Sequence, residues 1–171
     1  MLTPEQRITL ERWAKSVLPA ATAFARSLVR DPSSADDLVQ ECLYKLLKKS
    51  KEYNLSQDGT KLLFKSISNL CISQQTRKRE LTTLDQEAIT QPDVGSASPE
   101  LEAQRAELDA AIRQAIATLP ELQRAAIELR SLGFENEEIA DVLNVSASNA
   151  AVLVFRARKQ LLSMLGDSVK P

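Results

Sequence analysis

A chain of 171 residues with four glycines and 4% aromatics lacks the turns and the aromatic strand residues of a β-rich fold. It holds no histidine, which removes the commonest general base and the commonest metal ligand at once; no constellation of carboxylates, lysine or tyrosine takes their place, so neither an enzyme nor a metal or cofactor site is expected. The net charge of −1 hides an asymmetry: residues 1–80 carry 14 Lys+Arg against 9 Asp+Glu, residues 81–105 carry 1 against 5, and residues 106–171 carry 7 against 9, so a polyanionic partner suits the first segment better than the last.

In chain order, Thr3-Pro4-Glu5-Gln6 is a helix start, with threonine at the cap, proline in the first turn and glutamine three residues on. The helix it opens runs to about Arg30, with Pro19 as a kink or restart. Asp31-Pro32-Ser33-Ser34 breaks the chain, and Ser34 with Asp37 offers the next capping box. Leu38, Val39, Cys42, Leu43, Leu46 and Leu47 then recur at helical spacing. On that helix Asp37, Gln40 and Glu41 share a polar face opposite Leu38, Val39 and Cys42. Residues 50–59, with Asn54 and Asp58-Gly59, are a loop, and a third helix is predicted over residues 60–79, with Leu63, Ile67, Leu70 and Cys71 facing inward. Cys42 and Cys71 match no thiol or zinc motif and are assigned to the core.

Residues 80–98 are polar and turn-prone, the composition of a flexible linker. Ser98-Pro99-Glu100 restarts a helix whose buried stripe is marked by Leu101, Leu108, Ile112, Ala115 and Ile116. Another helix begins at Leu119-Pro120-Glu121 and stops at Gly133-Phe134. Two short helices follow, over residues 136–143 and 146–165. Their junction has the layout of a helix-turn-helix. Small Ala140 permits close crossing, Asn144 takes the tight turn, Val145 plugs the core and Ser146 caps the second helix, which would enter a major groove. The architecture expected is all-α: two small helical domains, residues 1–80 and 99–171, joined by an acidic linker over residues 81–98. No apolar run approaches the ~18 residues of a membrane span, and the amino terminus lacks the basic-then-apolar order of a signal peptide, so a cytoplasmic protein without membrane insertion is expected.

The string Leu119-Pro120-Glu121-Leu122-Gln123-Arg124, then Gly133-Phe134, Glu137-Glu138-Ile139-Ala140 and Phe155-Arg156-Ala157-Arg158-Lys159-Gln160-Leu161 resembles region 4 of the extracytoplasmic-function sigma factors of the sigma-70 family. Arg30-Asp31-Pro32-Ser33-Ser34-Ala35-Asp36-Asp37-Leu38-Val39-Gln40-Glu41 resembles region 2 of the same family. The resemblance implies a DNA-binding transcription initiation factor with no catalysis of its own. Asp37, Gln40 and Glu41 would grip the β′ clamp of RNA polymerase core. Tyr53, Lys61, Asn69, Arg77, Lys78 and Arg79 would meet the −10 element of promoter DNA. Ser146, Ser148, Asn149, Arg156, Arg158 and Lys159 would meet the −35 element, with the β flap of polymerase as a second docking point. An anti-sigma factor is a further partner the family admits.

The chain also departs from the family. Ala150-Ala151-Val152-Leu153 stands where basic and polar residues are usual, Leu62 stands for a usual tryptophan, and Ser73 for a usual aspartate. Each phosphate left without a cation weakens binding and flattens its salt dependence. The uncharged stretch leaves open a second reading, a sigma-like interaction protein (a decoy, or an anti-sigma ligand) that does not read promoters.

Overall fold

The computed structural model describes residues 3–29, 31–55, 57–81 and 99–166, with side chains described outside residues 73–81, 99 and 100. Among these residues seven helices follow one another: α1 (Pro4–Leu28), α2 (Pro32–Lys48), α3 (Gly59–Leu81), α4 (Pro99–Thr118), α5 (Glu121–Ser131), α6 (Asn136–Leu143) and α7 (Ala147–Leu165).

The opening of α1 follows the sequence expectation. Thr3 Oγ1 accepts the Gln6 N–H at 3.3 Å, and Gln6 Oε1 accepts the Thr3 N–H at 2.9 Å. The helix does not restart at Pro19 but runs through it. Pro19 is exposed, while Val17, Ala21, Phe24, Ala25 and Leu28 bury one continuous stripe, so packing on both sides of the proline outweighs the one hydrogen bond it removes. A second expectation is corrected at α2. Asp31, not Ser34, is the cap: its Oδ2 accepts the Ser34 N–H at 2.8 Å and the Ser34 hydroxyl at 2.5 Å. A charged acceptor with Pro32 already set at the first helical position starts the helix one turn earlier.

Helices α1, α2 and α3 pack mutually into a first lobe. Leu38, Val39 and Cys42 of α2 and Leu63, Ile67 and Cys71 of α3 are all buried. Both cysteines are reduced; burial pushes the Cys42 thiol up to about 11 and the Cys71 thiol to about 12, which leaves them without thiolate reactivity. Between α2 and α3 the chain folds on itself. Glu52 N–H donates to the Lys49 carbonyl at 2.9 Å, and Gln57 and Asp58 N–H groups to that of Asn54 at 3.0 and 2.9 Å. Leu55 plugs in beneath at 4% exposure. Gly59 is required by close approach: a Cβ there would stand 2.7 Å from Trp13 Cζ2. The indole passes over it and donates from Nε1 to Thr60 Oγ1 at 3.1 Å.

In the second lobe α4, α5 and α6 all pack on α7. The stripe expected on α4 is only half realised. Ala115 is buried and Ile112 and Ile116 are half-buried, but Leu101 and Leu108 are 56% and 43% exposed. The end of α7 meets the last turn of α4, where Thr118 Oγ1 lies 3.4 Å from Met164 Sδ. Helical periodicity shows that a face is apolar; it does not show how far its neighbour extends. Gly133 takes φ +91° after α5, and Asn144 takes φ 56°, ψ 47° between α6 and α7, both as their positions after a helix end demand.

The two lobes touch. Helix α1 meets α5, and α3 meets α6. Phe64 of α3 stands at the join, its ring centroid 5.1 Å from that of Phe24 and 5.4 Å from that of Phe134, at interplanar angles of 56° and 62°. Arg124 of α5 donates from Nη1 to the Ser27 carbonyl of α1 at 2.8 Å, and from Nη2 to Ala117 and Leu119 of its own lobe at 2.9 and 3.0 Å.

One half-buried carboxyl in this region gives a stability prediction. Burial pushes the Glu128 carboxyl up, and the charge of Arg124 draws it part of the way back. The folded chain therefore holds the protonated form more readily than the unfolded chain does. Ionised Glu128 opposes folding at neutral pH, and that opposition fades as pH falls through the folded pKa toward the unfolded one. Glu128→Gln is expected to raise the melting temperature near pH ~7 and to give no advantage at about pH 4. Thermal melts at the two pH values check it; a loss of stability near neutrality would mean that the attraction of Arg124 outweighs burial.

Candidate nucleic-acid interface

Helix α2 presents Asp37, Gln40 and Glu41 together at the surface, because Leu38, Val39 and Cys42 are drawn into the core on the other side. Glu41 Oε1 accepts from Lys45 Nζ at 2.5 Å, a pairing that raises the lysine's pKa. The neighbouring Asp36 is used inside the lobe: Arg26 of α1 donates to its two oxygens at 3.2 and 3.0 Å, a fork that fixes α2 against α1. The stripe at 37, 40 and 41 is thus an acidic surface on an anchored helix.

The −10 candidates fall in three places. Tyr53 is 42% exposed at the turn between α2 and α3. Lys61, Lys65 and Asn69 follow one another at i, i+4 and i+8 on α3, on one helix face; Asn69 is exposed and the two lysines are half-buried. Lys61 is engaged, its Nζ lying 2.6 Å from Asp141 Oδ2 of α6. Their hydrogen bond raises the Lys61 pKa and lowers that of Asp141. Arg77, Lys78 and Arg79 lie on the last turns of α3, and their side chains fall outside the described residues.

The helix-turn-helix forms as its sequence predicts, with one addition. Glu135 caps α6, and Glu138 Oε2 accepts its N–H at 2.9 Å. Arg130 holds the same corner, donating to Glu135 Oε2 at 3.0 Å and to Asn136 Oδ1. After Asn144 the Val145 N–H returns to the Ala140 carbonyl at 3.0 Å, and half-buried Val145 packs against the core. Ser146 Oγ then accepts the Asn149 N–H at 3.2 Å and starts α7, bent by 99° from α6.

Ala150, Val154 and Ala157 face the core, which turns the opposite face of α7 outward. At about 100° per residue, Ser148, Val152, Phe155 and Lys159 lie within roughly 60° of arc on that face. Asn149 and Arg156 flank them on one side and Arg158 on the other. All six residues expected at the −35 surface (Ser146, Ser148, Asn149, Arg156, Arg158 and Lys159) are exposed. The uncharged stretch is explained in part: Ala150 and Val154 are core residues, and Ala151 and Leu153 are half-buried. Val152 alone is exposed, at 41%, beside Phe155 at 66%.

Sequence reasoning assigned no role to Arg124, Asp141 or the ring of Phe134, which tie the two lobes together. The residue that Arg124 reaches in the other lobe is 97 positions away, and no local pattern carries that information.

Residues 13–80 match the family pattern described as Sigma-70 region 2, and residues 109–161 the one described as Sigma-70, region 4. An ECF RNA polymerase sigma factor, EcfG of Rhodopseudomonas palustris (strain TIE-1), is 31% identical over 155 residues, 88% of this chain and 81% of that one. Among solved structures, the sigma factor RpoE in complex with the anti-sigma factor NepR from Bartonella quintana is 28% identical, with a TM-score of 0.71 over 94% of this chain and 98% of that one.

Proposed function

The chain belongs to the extracytoplasmic-function branch of the sigma-70 family and is an RNA polymerase sigma factor, and from that premise we propose how its surfaces divide the work. Sigma factors bind polymerase core and promoter DNA and are themselves non-catalytic; this chain is read in the same way, with the chemistry left to the polymerase. Residues 1–80 form the module for core and the −10 element, residues 99–171 the module for the −35 element, and residues 81–98 the connection between them. Asp37, Gln40 and Glu41 dock on the β′ clamp. Their support is an exposed acidic stripe on a helix fixed by the Arg26–Asp36 pair, since complementary charge steers association.

Tyr53 offers a ring on which an unstacked base can lie. Lys61 and Asn69 line the strand path, and Arg77, Lys78 and Arg79 hold phosphates. On α7, Ser146, Ser148 and Asn149 meet base edges while Arg156, Arg158 and Lys159 meet the backbone; the second lobe also docks on the β flap. The observation that carries this reading is the co-occurrence, in order, of the two sigma-70 regions on one chain. Run-off transcription with purified core polymerase tests it, and a specific transcript dependent on the chain is expected.

A second reading has its own support. Val152 and Phe155 form an exposed apolar spot on a helix otherwise suited to DNA, and the neighbour from Bartonella quintana was solved in complex with an anti-sigma factor. On that reading the chain captures a protein partner and yields no specific transcript. We favour promoter reading with an anti-sigma factor as an additional partner, because the exposed cations flank the same face.

Replacing Arg77 and Lys78 by alanine is expected to slow open-complex formation about tenfold or more and to lower the salt dependence of promoter binding by roughly 0.7–0.9 for each phosphate no longer neutralised. Affinity for polymerase core should change less than about twofold, as for surface changes away from an interface. Permanganate footprinting beside a core-binding titration checks it; equal loss in both assays would remove these residues from the DNA surface.

A further inference from the structure

We propose that Val152 reads the C5-methyl group of a thymine in the −35 element, so that α7 selects a base by apolar contact where the family uses polar and basic side chains. The inference rests on the reading of α7 as the helix that enters the major groove. Ser146 caps that helix and makes Ala147 its first residue, which puts Val152 at the sixth position, in the opening turns that meet base edges. Ala150 and Val154, two residues before and after it, are 0% and 5% exposed, so Val152 is turned outward and keeps 41% of its surface. Ser148 lies one turn before it and Arg156 one turn after it on the same side of the helix. An isopropyl group at this place offers no hydrogen bond. Among the groups that base edges present in the major groove, the apolar one is the thymine methyl. A nitrogen or carbonyl edge set against Val152 would lose its water without a replacement, whereas methyl against methyl takes two apolar surfaces out of water together.

The surroundings of Val152 fit a duplex better than a protein. Ser148, Asn149, Arg156, Arg158 and Lys159 flank Val152 and Phe155, and all five are exposed. The apolar spot is thus set among cations and hydrogen-bonding groups, the mixture that a groove with phosphate walls requires. A stable protein interface takes about 800 Å² from each partner around an apolar centre, and two side chains are a small fraction of that. Leu162, the next large apolar residue exposed on this helix, lies about 10 Å beyond Phe155 at 1.5 Å per residue, with Lys159 between them. The balance of charge agrees. Residues 106–171 carry 7 Lys+Arg against 9 Asp+Glu, so this lobe draws less on counterion release than a basic reader does, and apolar contact takes a larger share.

The test uses holoenzyme assembled from the full chain and core polymerase, on a promoter fragment that gives the specific run-off transcript. Each thymine of the −35 element, on either strand, is replaced in turn by deoxyuridine, which removes the C5-methyl and leaves base pairing unchanged. One position should weaken wild-type binding about fourfold, the worth of one methyl group taken out of water. Val152→Ala should bind the unmodified fragment more weakly than wild type and show no difference between thymine and uracil at that position. Val152→Thr, which keeps one methyl on the same branched frame, should retain part of the difference. Arg156→Ala should weaken binding to both fragments alike and leave the ratio between them standing. Circular dichroism should agree among the variants, since each replaces an exposed side chain. The proposal is overturned if no uracil substitution changes wild-type binding, if the sensitive position persists in Val152→Ala, or if the −35 element holds no A·T pair. Any of these beside a specific transcript removes the role of Val152 and leaves the functional reading intact; absence of a specific transcript from wild type removes both.

Discussion

Replacing Asp37 and Glu41 by lysine is expected to weaken binding to RNA polymerase core by about two orders of magnitude while leaving the fold intact. Like charges set against each other at an interface cost several kcal/mol, and ~1.4 kcal/mol is a factor of ten. Both side chains are exposed and contribute nothing to the buried side of α2. The internal penalty is small: lysines at positions 37, 41 and 45 would face one another at one-turn intervals, a repulsion of roughly 0.2–0.5 kcal/mol for each of the two pairs. Circular dichroism should therefore be unchanged. The control is Glu11→Lys on α1, which also breaks an i, i+4 ion pair, the one with Lys15, at a place assigned no partner. A titration of labelled chain with core polymerase decides it, and the assignment fails if the control loses as much affinity as the double variant.

The second large effect is on stability. Phe64 is 1% exposed and contacts a ring in each lobe. Phe64→Ala is expected to cost about 3–5 kcal/mol, the range for emptying a buried aromatic site, against a total of roughly 5–15 kcal/mol for a whole domain. Because the cavity would open between the lobes, removing the ring that meets Phe134 should loosen their docking as well as weaken the first lobe. Leu162→Ala, at a side chain 72% exposed, should change stability by less than about 0.5 kcal/mol. Urea unfolding of the two variants provides the comparison. A loss at Phe64 no greater than at Leu162 would show that the rings do not hold the lobes together.

What could be read from the sequence depended on whether the deciding interaction was local. The Thr3–Gln6 box, the left-handed Asn144, the Ser146 cap and the bounds of α6 are each set within four residues, and each formed as expected. The Ser34 cap failed on a local competition that the composition did not resolve: two acceptors were in reach of the same turn, and the charged one won. Pro19 and the pair Leu101 and Leu108 failed for a different cause. Whether a proline bends a helix, or a leucine is buried, depends on what lies across from it, and that is a property of the assembled bundle. The functional surfaces divide in the same way. The exposed stripes on α2 and α7 follow from helical periodicity, whereas the engagement of Lys61 by Asp141 joins positions 80 apart in sequence and has no local signature.

The turn between α2 and α3 bears on how an unstacked base would be received. It is secured internally by the bonds to the Lys49 and Asn54 carbonyls, below by Leu55, and at its exit by the indole of Trp13 lying over Gly59. A tip fixed at so many points has few conformations left to surrender when a nucleotide arrives, so the ordering cost that mobile recognition loops meet on association is already small. Tyr53 would act as a standing shelf rather than a closing flap, and capture would be governed by how often the duplex breathes, not by how often the protein finds its shape.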